Sequence, residues 1–321
     1  MNLLEKIATF ICKKFTLWVI LFSCIAFWQP TPFKPIVPAI SYLLGFIMLG
    51  MGLTMSLDDF KLVLKHPREV FYGVSFRYLL MPLIGYGVAK VLGLPPALAA
   101  GVVLIGACPS GTASNVMSFI AKGDTALSVT VSSVNTILAP LLTPYIFLVL
   151  AGSFIPIDVT ALFIEIVKIV LLPVATGVAC RMVFKEKLDQ IVHIVPAFSV
   201  ICIITILSCV VAVNAAKLAT VGLIIVAAVF LHNSLGLLLG YGSAHAVKMG
   251  EKKARAITFE IGMENSGLAV ALAMAHLDPM AALPAAVCSI WQNISGSILA
   301  SYWGSKTEKS AMVSDLVDSK A

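Results

Sequence analysis

The side chains best equipped for chemistry in this 321-residue chain lie in two short polar islands inside long apolar stretches. The first is Pro109-Ser110-Gly111-Thr112-Ala113-Ser114-Asn115, and the second is Glu260-Ile261-Gly262-Met263-Glu264-Asn265-Ser266-Gly267. Both mix helix-weakening residues with oxygen-bearing side chains. Hydrocarbon does not tolerate bare backbone polar groups, so such breaks persist only where protein covers them or water reaches them. Discontinuous helices at mid-membrane depth mark ion and substrate sites in secondary transporters.

Ionisable side chains inside a bilayer cost at least about 2.5–3.5 kcal/mol each, which makes every one a functional candidate. The predicted spans hold Arg77, Glu165, Lys168, Glu260 and Glu264. Counting inward from Arg255 at about 1.5 Å per residue places Glu260 roughly 8 Å and Glu264 roughly 14 Å deep. Arg77, counted from Arg68, also falls at roughly 14 Å. Ser128, Ser132 and Asn135 are spaced four and three apart, on one helix face. Ser132 lies about 12 Å deep and Asn115, counted from Lys122, about 10 Å.

Ser114, Asn115, Ser128, Ser132 and Glu260 therefore offer hydroxyl, amide and carboxylate oxygens in one layer. That set suits a hard cation such as Na⁺, and carbonyls freed at the break from Ile261 to Met263 would add ligands. The half-helices that start after each break aim N–H groups at the same cavity, which favours an anion. A lone membrane serine has a plainer reading, as a small packing residue or a donor to its own backbone. The carboxylate at matching depth weighs against it here.

The equal depth of Arg77 and Glu264 predicts an ion pair. It reads either as a lock between two helices or as an occupant of a place a second cation would need. Glu165 and Lys168, three apart on one helix, are predicted to neutralise each other. Gln292 and Asn293 lie within a span and are expected to face the cavity, while His232 with Asn233 stays open between a structural and a cavity-lining role. An intramembrane hydrolase using Ser110 or Ser114 is the alternative from a different class. His276, near the outer surface, is too distant to serve as its base. A passive channel fits less well, because charges sealed into breaks suit an occluding site.

The elements that carry these groups follow from composition. Hydrophobic residues make up 60% of the chain and charged residues 12%, against roughly 25% charged in soluble domains. Mean hydropathy is +1.00. The fold expected is an all-α polytopic membrane protein with helices at about 15–29, 38–57, 70–91, 95–121, 124–151, 158–181, 190–214, 219–247, 254–276 and 280–303. The stretch after Lys13 and Lys14 lacks a convincing cleavage signal and is read as a retained first helix. Seven scattered cysteines imply neither a disulfide framework nor a metal site.

The net charge of +6 is a topology signal and does not point to nucleic acid. With ten spans, 17 Lys and Arg fall on one side and only Lys34, Lys90 and Lys217 on the other, so both termini are expected to be cytoplasmic. The islands lie in the fourth and ninth helices, each the fourth of a five-helix unit. Two such units in series face opposite ways, as in an inverted repeat. The expected division is residues 1–152 and 153–304, with 305–321 a disordered cytoplasmic tail.

At these residues the chain resembles the bile acid:sodium symporter family in its ten-helix bacterial branch. The resemblance rests on Cys108 through Met117, on Ala126-Leu127-Ser128-Val129, on Glu260 through Met263 with Asn265 through Leu268, and on Trp291 through Ser297. It implies a core domain of helices 3–5 and 8–10, with helices 4 and 9 broken and crossed, and a panel of helices 1, 2, 6 and 7. The first sodium site then corresponds to Ser114, Asn115, Ser128, Ser132 and Glu260, with Ser132 where relatives often carry Thr. The second uses Glu260, main-chain groups around Ile261 and Met263, and two Gln positions that here are Glu264 and Arg77. That departure puts the second sodium in question, since an arginine side chain can substitute for an ion.

Substrate contacts are implied for Gly111, Thr112, Ala113, Asn265, Ser266, Gln292 and Asn293, with Gln292 where the family often has His. The implied activity is Na⁺-coupled uptake of a small organic anion across a bacterial cytoplasmic (inner) membrane, without an organic cofactor. A bile-acid-like steroid or a small hydroxy carboxylate such as pantoate would be the substrate. Proton coupling or single-sodium coupling is the alternative.

Overall fold

A computed structural model of the protein describes residues 14–55, 65–184 and 194–318, together with 7, 8, 10–12, 63 and 188. The side chains of Thr16 and of the residues from 308 to 318 lie outside that description, as do the basic positions Lys6, Lys13, Lys61, Lys185, Lys187 and Lys320. Among the described residues every regular element is helical, and all seven cysteines are free thiols.

The chain begins with α1 (Phe15–Trp28) and a 3₁₀ turn (Lys34–Ala39) that leads into α2 (Ile40–Thr54). Next come α3 (Pro67–Val91), α4 (Pro96–Ala107), α5 (Ala113–Ile120) and α6 (Thr125–Ala151). α7 (Val159–Ile166) passes through a wide π turn (Val167–Leu171) into α8 (Leu172–Val183). The remainder is α9 (Val195–Ala246), α10 (Glu251–Gly262), α11 (Ser266–His276) and α12 (Ala282–Asp318). Starts follow familiar rules. Pro67 and Pro96 occupy first-turn positions where no N–H is needed, and Asp124 and Asp158 cap α6 and α7 by accepting from Leu127 N and Ala161 N.

Four helical stretches are long and apolar enough to cross a bilayer: 34–54, 125–151, 159–183 and 195–246. Between them sits α4, buried at every residue from Leu98 to Ala107, as expected of a helix that is apolar all round. α2 and α8 cross closely at small residues. A β-carbon on Gly52 would stand 2.3 Å from the Val174 carbonyl oxygen, and one on Gly177 2.4 Å from that of Leu49.

Three expectations change. The helices predicted at 190–214 and 219–247 form one unbroken helical run, α9, because Ala215, Ala216, Leu218 and Ala219 are strong helix formers. A straight helix would separate Val195 from His232 by about 55 Å. Yet Val195 lies against Gly50, Met48 touches Asn265, and His232 meets the adjacent Glu264. α9 is therefore strongly bent along its length. Asn214 bonds the Pro279 carbonyl at 3.1 Å and Lys217 pairs with Asp278 at 3.7 Å, which puts this part of α9 beside the α11–α12 connection. Second, α12 stays helical to Asp318, through the segment predicted as a disordered tail. The first turn of that segment is held by Thr307 Oγ1, which accepts from Arg255 Nη1 at 2.7 Å. Third, Glu165 accepts from Ser41 at 3.0 Å, and among the described residues no ion pair joins it to Lys168. The π turn that starts at Val167 alters the three-residue register on which that pairing relied.

Candidate functional site

Both polar islands are breaks. α4 ends at Ala107, with Cys108 already extended ahead of Pro109, and a turn at Thr112 leads into α5 at Ala113; α10 ends at Gly262 and α11 starts at Ser266. Proline disfavours helical geometry in the residue before it, which accounts for the first stop. The extended residues then pair with each other. Gly111 N donates to Met263 O at 3.1 Å and Asn265 N to Pro109 O at 2.9 Å, a two-bond antiparallel bridge centred on Ser110 and Glu264. The bridge supplies partners that the broken helices cannot. It needs glycine at 111, because a β-carbon there would stand 2.7 Å from the Glu264 carbonyl oxygen.

Beside the bridge the predicted oxygen cluster assembles around Glu260, which is fully buried. Ser114 Oγ and Ser128 Oγ lie 2.5 and 2.6 Å from Glu260 Oε1. Ser128 also meets Asn115 Oδ1 at 2.9 Å, and Asn115 Nδ2 donates to Ser132 Oγ at 3.3 Å. Ser118, one turn beyond Ser114, donates to Ser128 at 3.0 Å. It was missing from the sequence set, although its i,i+4 spacing from Ser114 places it on the same face. Asn135 extends the line by donating to Ser110 at 3.1 Å. Glu260 Oε2 has no hydrogen-bond partner within the protein. The cluster is therefore acceptor-rich: short bonds orient its oxygens, and a buried anionic oxygen is left over, which is the environment a hard cation satisfies.

The other side of the crossing is built differently. Arg77 is fully buried; its Nη1 donates to Ile261 O at 2.9 Å, its Nη2 reaches Cys108 O at 2.5 Å, and Nη1 stands 3.5 Å from Glu264 Oε1. The ion pair expected from equal depth is present. Glu264 Oε1 also meets His232 Nε2 at 2.9 Å, and Cys288 Sγ points at Oε2 from 3.6 Å. His232, left open in the sequence, thus has a structural partner, and neither it nor Cys288 carries a spacing signal toward Glu264. Asn233 donates to Gly262 O at 2.8 Å and is itself held by Ser295 at 2.6 Å.

The carbonyls expected to be free at the second break are engaged. Ile261 O accepts from Arg77, Gly262 O from Asn233 and Met263 O from Gly111. Gln292 clasps the same segment, accepting from Glu264 N and donating to Glu264 O, each at 2.9 Å, so it faces the break and not a cavity. Ser266 receives a further bond from Gln292 at 3.2 Å.

The residues expected near substrate split accordingly. Thr112 is exposed, with Ala113 and Asn115 half-buried beside it. Asn265 caps α11 by accepting from Leu268 N at 3.0 Å, and its amide nitrogen lies 3.8 Å from Met48 Sδ on α2. Asn293 is turned to its own helix, donating to Ser289 O at 2.6 Å. A hydrolase arrangement does not form: Ser110 receives a bond from Asn135, Ser114 bonds Glu260, and His232 is committed to Glu264. Among the described residues there is no group of three or more His, Cys, Asp or Glu that would hold a transition metal.

Long apolar helices, together with two broken ones that meet beside a buried carboxylate, mark a multi-pass membrane protein. Comparison with known proteins narrows the class. A family model described as Sodium Bile acid symporter family matches residues 41–221, more than half of the chain. The chain is 45% identical over 309 residues to the Uncharacterized sodium-dependent transporter YocS of Bacillus subtilis (strain 168), with 96% of each covered. It is 34% identical over 306 residues to the Probable sodium/metabolite cotransporter BASS1, chloroplastic, of Oryza sativa subsp. japonica, covering 95% of this chain and 75% of the relative. The corresponding Arabidopsis thaliana protein is 35% identical over 301 residues, covering 93% and 75%. The protein belongs to the sodium bile acid symporter family, and its relatives are named as transporters and not as enzymes.

Proposed function

We propose that the protein couples Na⁺ influx to uptake of a small organic anion by alternating access. The observation that carries this reading is Glu260, a fully buried carboxylate with one oxygen held by two serines and the other without a protein partner. A charge in that position is costly unless a cation meets it. Ser114, Asn115, Ser128 and Ser132 supply neutral oxygens around it, and the relatives named sodium-dependent transporter and sodium/metabolite cotransporter agree with Na⁺ as the coupling ion. The cation site is thus Ser114, Asn115, Ser128, Ser132 and Glu260. The substrate carboxylate lies toward the starts of α5 and α11, near Gly111, Thr112, Ala113 and Asn265, where helix N-termini favour negative charge. The proposed substrate is a bile-acid-like steroid or a small hydroxy carboxylate such as pantoate.

The accompanying architecture is ten spans in a bacterial cytoplasmic membrane, both termini inside, with residues 1–152 and 153–304 as inverted repeats. The 17-to-3 distribution of Lys and Arg supports the orientation. The antiparallel pairing of the two breaks supports the inversion, since equivalent segments of oppositely directed repeats must run antiparallel. The test is Glu260→Ala in proteoliposomes. Na⁺-dependent uptake of pantoate or taurocholate is expected to disappear; uptake that keeps its sodium dependence would overturn the assignment.

A further inference from the structure

We infer that Arg77 is a resident cation at the helix crossing, and that it fixes the number of ions the site takes at one. α4 and α10 both end there, and a helix C-terminus presents unpaired carbonyls and partial negative charge. Two such ends and a carboxylate converge on one point, through Cys108 O, Ile261 O and Glu264 Oε1. That is an oxygen cradle for a cation, and the guanidinium of Arg77 occupies it. The surrounding acceptors are filled as well: Gly262 O by Asn233, Met263 O by Gly111, and Glu264 O by Gln292 and by Ser266 N. Among the described residues at the crossing, the Glu260 carboxylate keeps an oxygen without a donor, as does the neutral amide of Asn135.

Charge balance leads to the same number. The fully buried formal charges at the crossing are Glu260, Glu264 and Arg77, which sum to one negative. One Na⁺ at Glu260 brings the crossing to neutrality. A second would leave a buried positive charge without compensation, which a low-dielectric site opposes strongly. A guanidinium is also fixed to the chain and cannot be released, so it contributes attraction for substrate anions without contributing to transport stoichiometry.

This inference rests on Glu260 being a Na⁺ ligand, and one experiment separates the two. Equilibrium binding of radioactive Na⁺ to purified protein, with choline as counter-ion, is expected to give one ion per chain in the wild type and none in Glu260→Ala. Two ions per wild-type chain would overturn the resident-cation assignment while leaving the Glu260 site intact. No Na⁺ binding in the wild type, or binding unchanged in Glu260→Ala, would instead refute the sodium reading itself. Removing the guanidinium with Arg77→Ala should open the cradle to a second cation, with either two Na⁺ bound per chain or saturable binding of added guanidinium. Arg77→Lys, which keeps the charge, should stay at one Na⁺. Arg77→Ala that binds one Na⁺ and no guanidinium would also overturn the assignment. The wild-type count decides the matter even where Arg77→Ala does not fold.

Discussion

Gly111→Ala should part the two breaks, and the size of the effect follows from the geometry of their bridge. The new β-carbon would lie 2.7 Å from the Glu264 carbonyl oxygen and 3.1 Å from its carbon, whereas ordinary contact starts at 3.4 Å. Both neighbours are backbone atoms, so no side chain can swing aside. Restoring contact requires the segments to move apart by about 0.7 Å. That displacement would lengthen the 3.1 Å Gly111–Met263 and 2.9 Å Asn265–Pro109 bonds to about 3.8 and 3.6 Å, beyond useful hydrogen-bond range. Leaving two buried N–H groups unpaired costs about 1–3 kcal/mol each, or about 2–6 kcal/mol together. The variant should unfold at a clearly lower temperature in detergent and lose sodium-dependent uptake, because Ser114 is carried three residues beyond the bridge. Gly87→Ala is the control. Nothing lies within 4 Å of a β-carbon there, so it should be neutral or stabilised by up to about 1 kcal/mol through helix propensity. If Gly111→Ala matched the parent in unfolding temperature and sodium dependence, the bridge would not be what holds the breaks together.

Other variants test the parts separately. Ser128→Ala removes the 2.6 Å bond to Glu260 and one oxygen of the cluster; bonds to charged groups are worth about 1.5–3 kcal/mol, so apparent Na⁺ affinity in uptake assays should weaken by about tenfold to a hundredfold. Gln292→Ala should destabilise by about 1–3 kcal/mol, through the buried Glu264 N–H alone, since Glu264 O keeps its bond from Ser266 N; this is measurable as a shift in thermal unfolding. In proteoliposomes with separately imposed gradients, an inward Na⁺ gradient should drive accumulation and a pH gradient without Na⁺ should not. Accumulation driven by pH alone would favour the proton-coupled alternative.

Composition and order were enough to find the membrane class, the two breaks and the oxygen cluster. A carboxylate, four hydroxyl or amide groups and a helix break are rare enough in apolar sequence that each one stands out. The constant helical rise converts their positions into depths, which is why Glu260 could be grouped with Ser114, Asn115, Ser128 and Ser132, and Arg77 matched to Glu264. Depth along a helix says nothing about rotation toward a neighbour. For that reason Gln292 was expected in a cavity although it clasps the backbone of Glu264, and Glu165 was assigned to Lys168 although it bonds Ser41.

The sequence by itself determined that two helices are interrupted and that the second carries charge into the membrane, because the insertion cost of those residues depends only on their chemistry and their distance from the polar flanks. Only the tertiary structure decided how the interruptions are satisfied. The bridge between Ser110 and Glu264 and the capture of the Ile261 carbonyl by Arg77 join segments more than 150 residues apart, and the unpartnered oxygen of Glu260 is visible only once they have met. Backbone hydrogen bonding is indifferent to side-chain identity, so no pattern in the residues announces which carbonyl will meet which donor until the chain has folded.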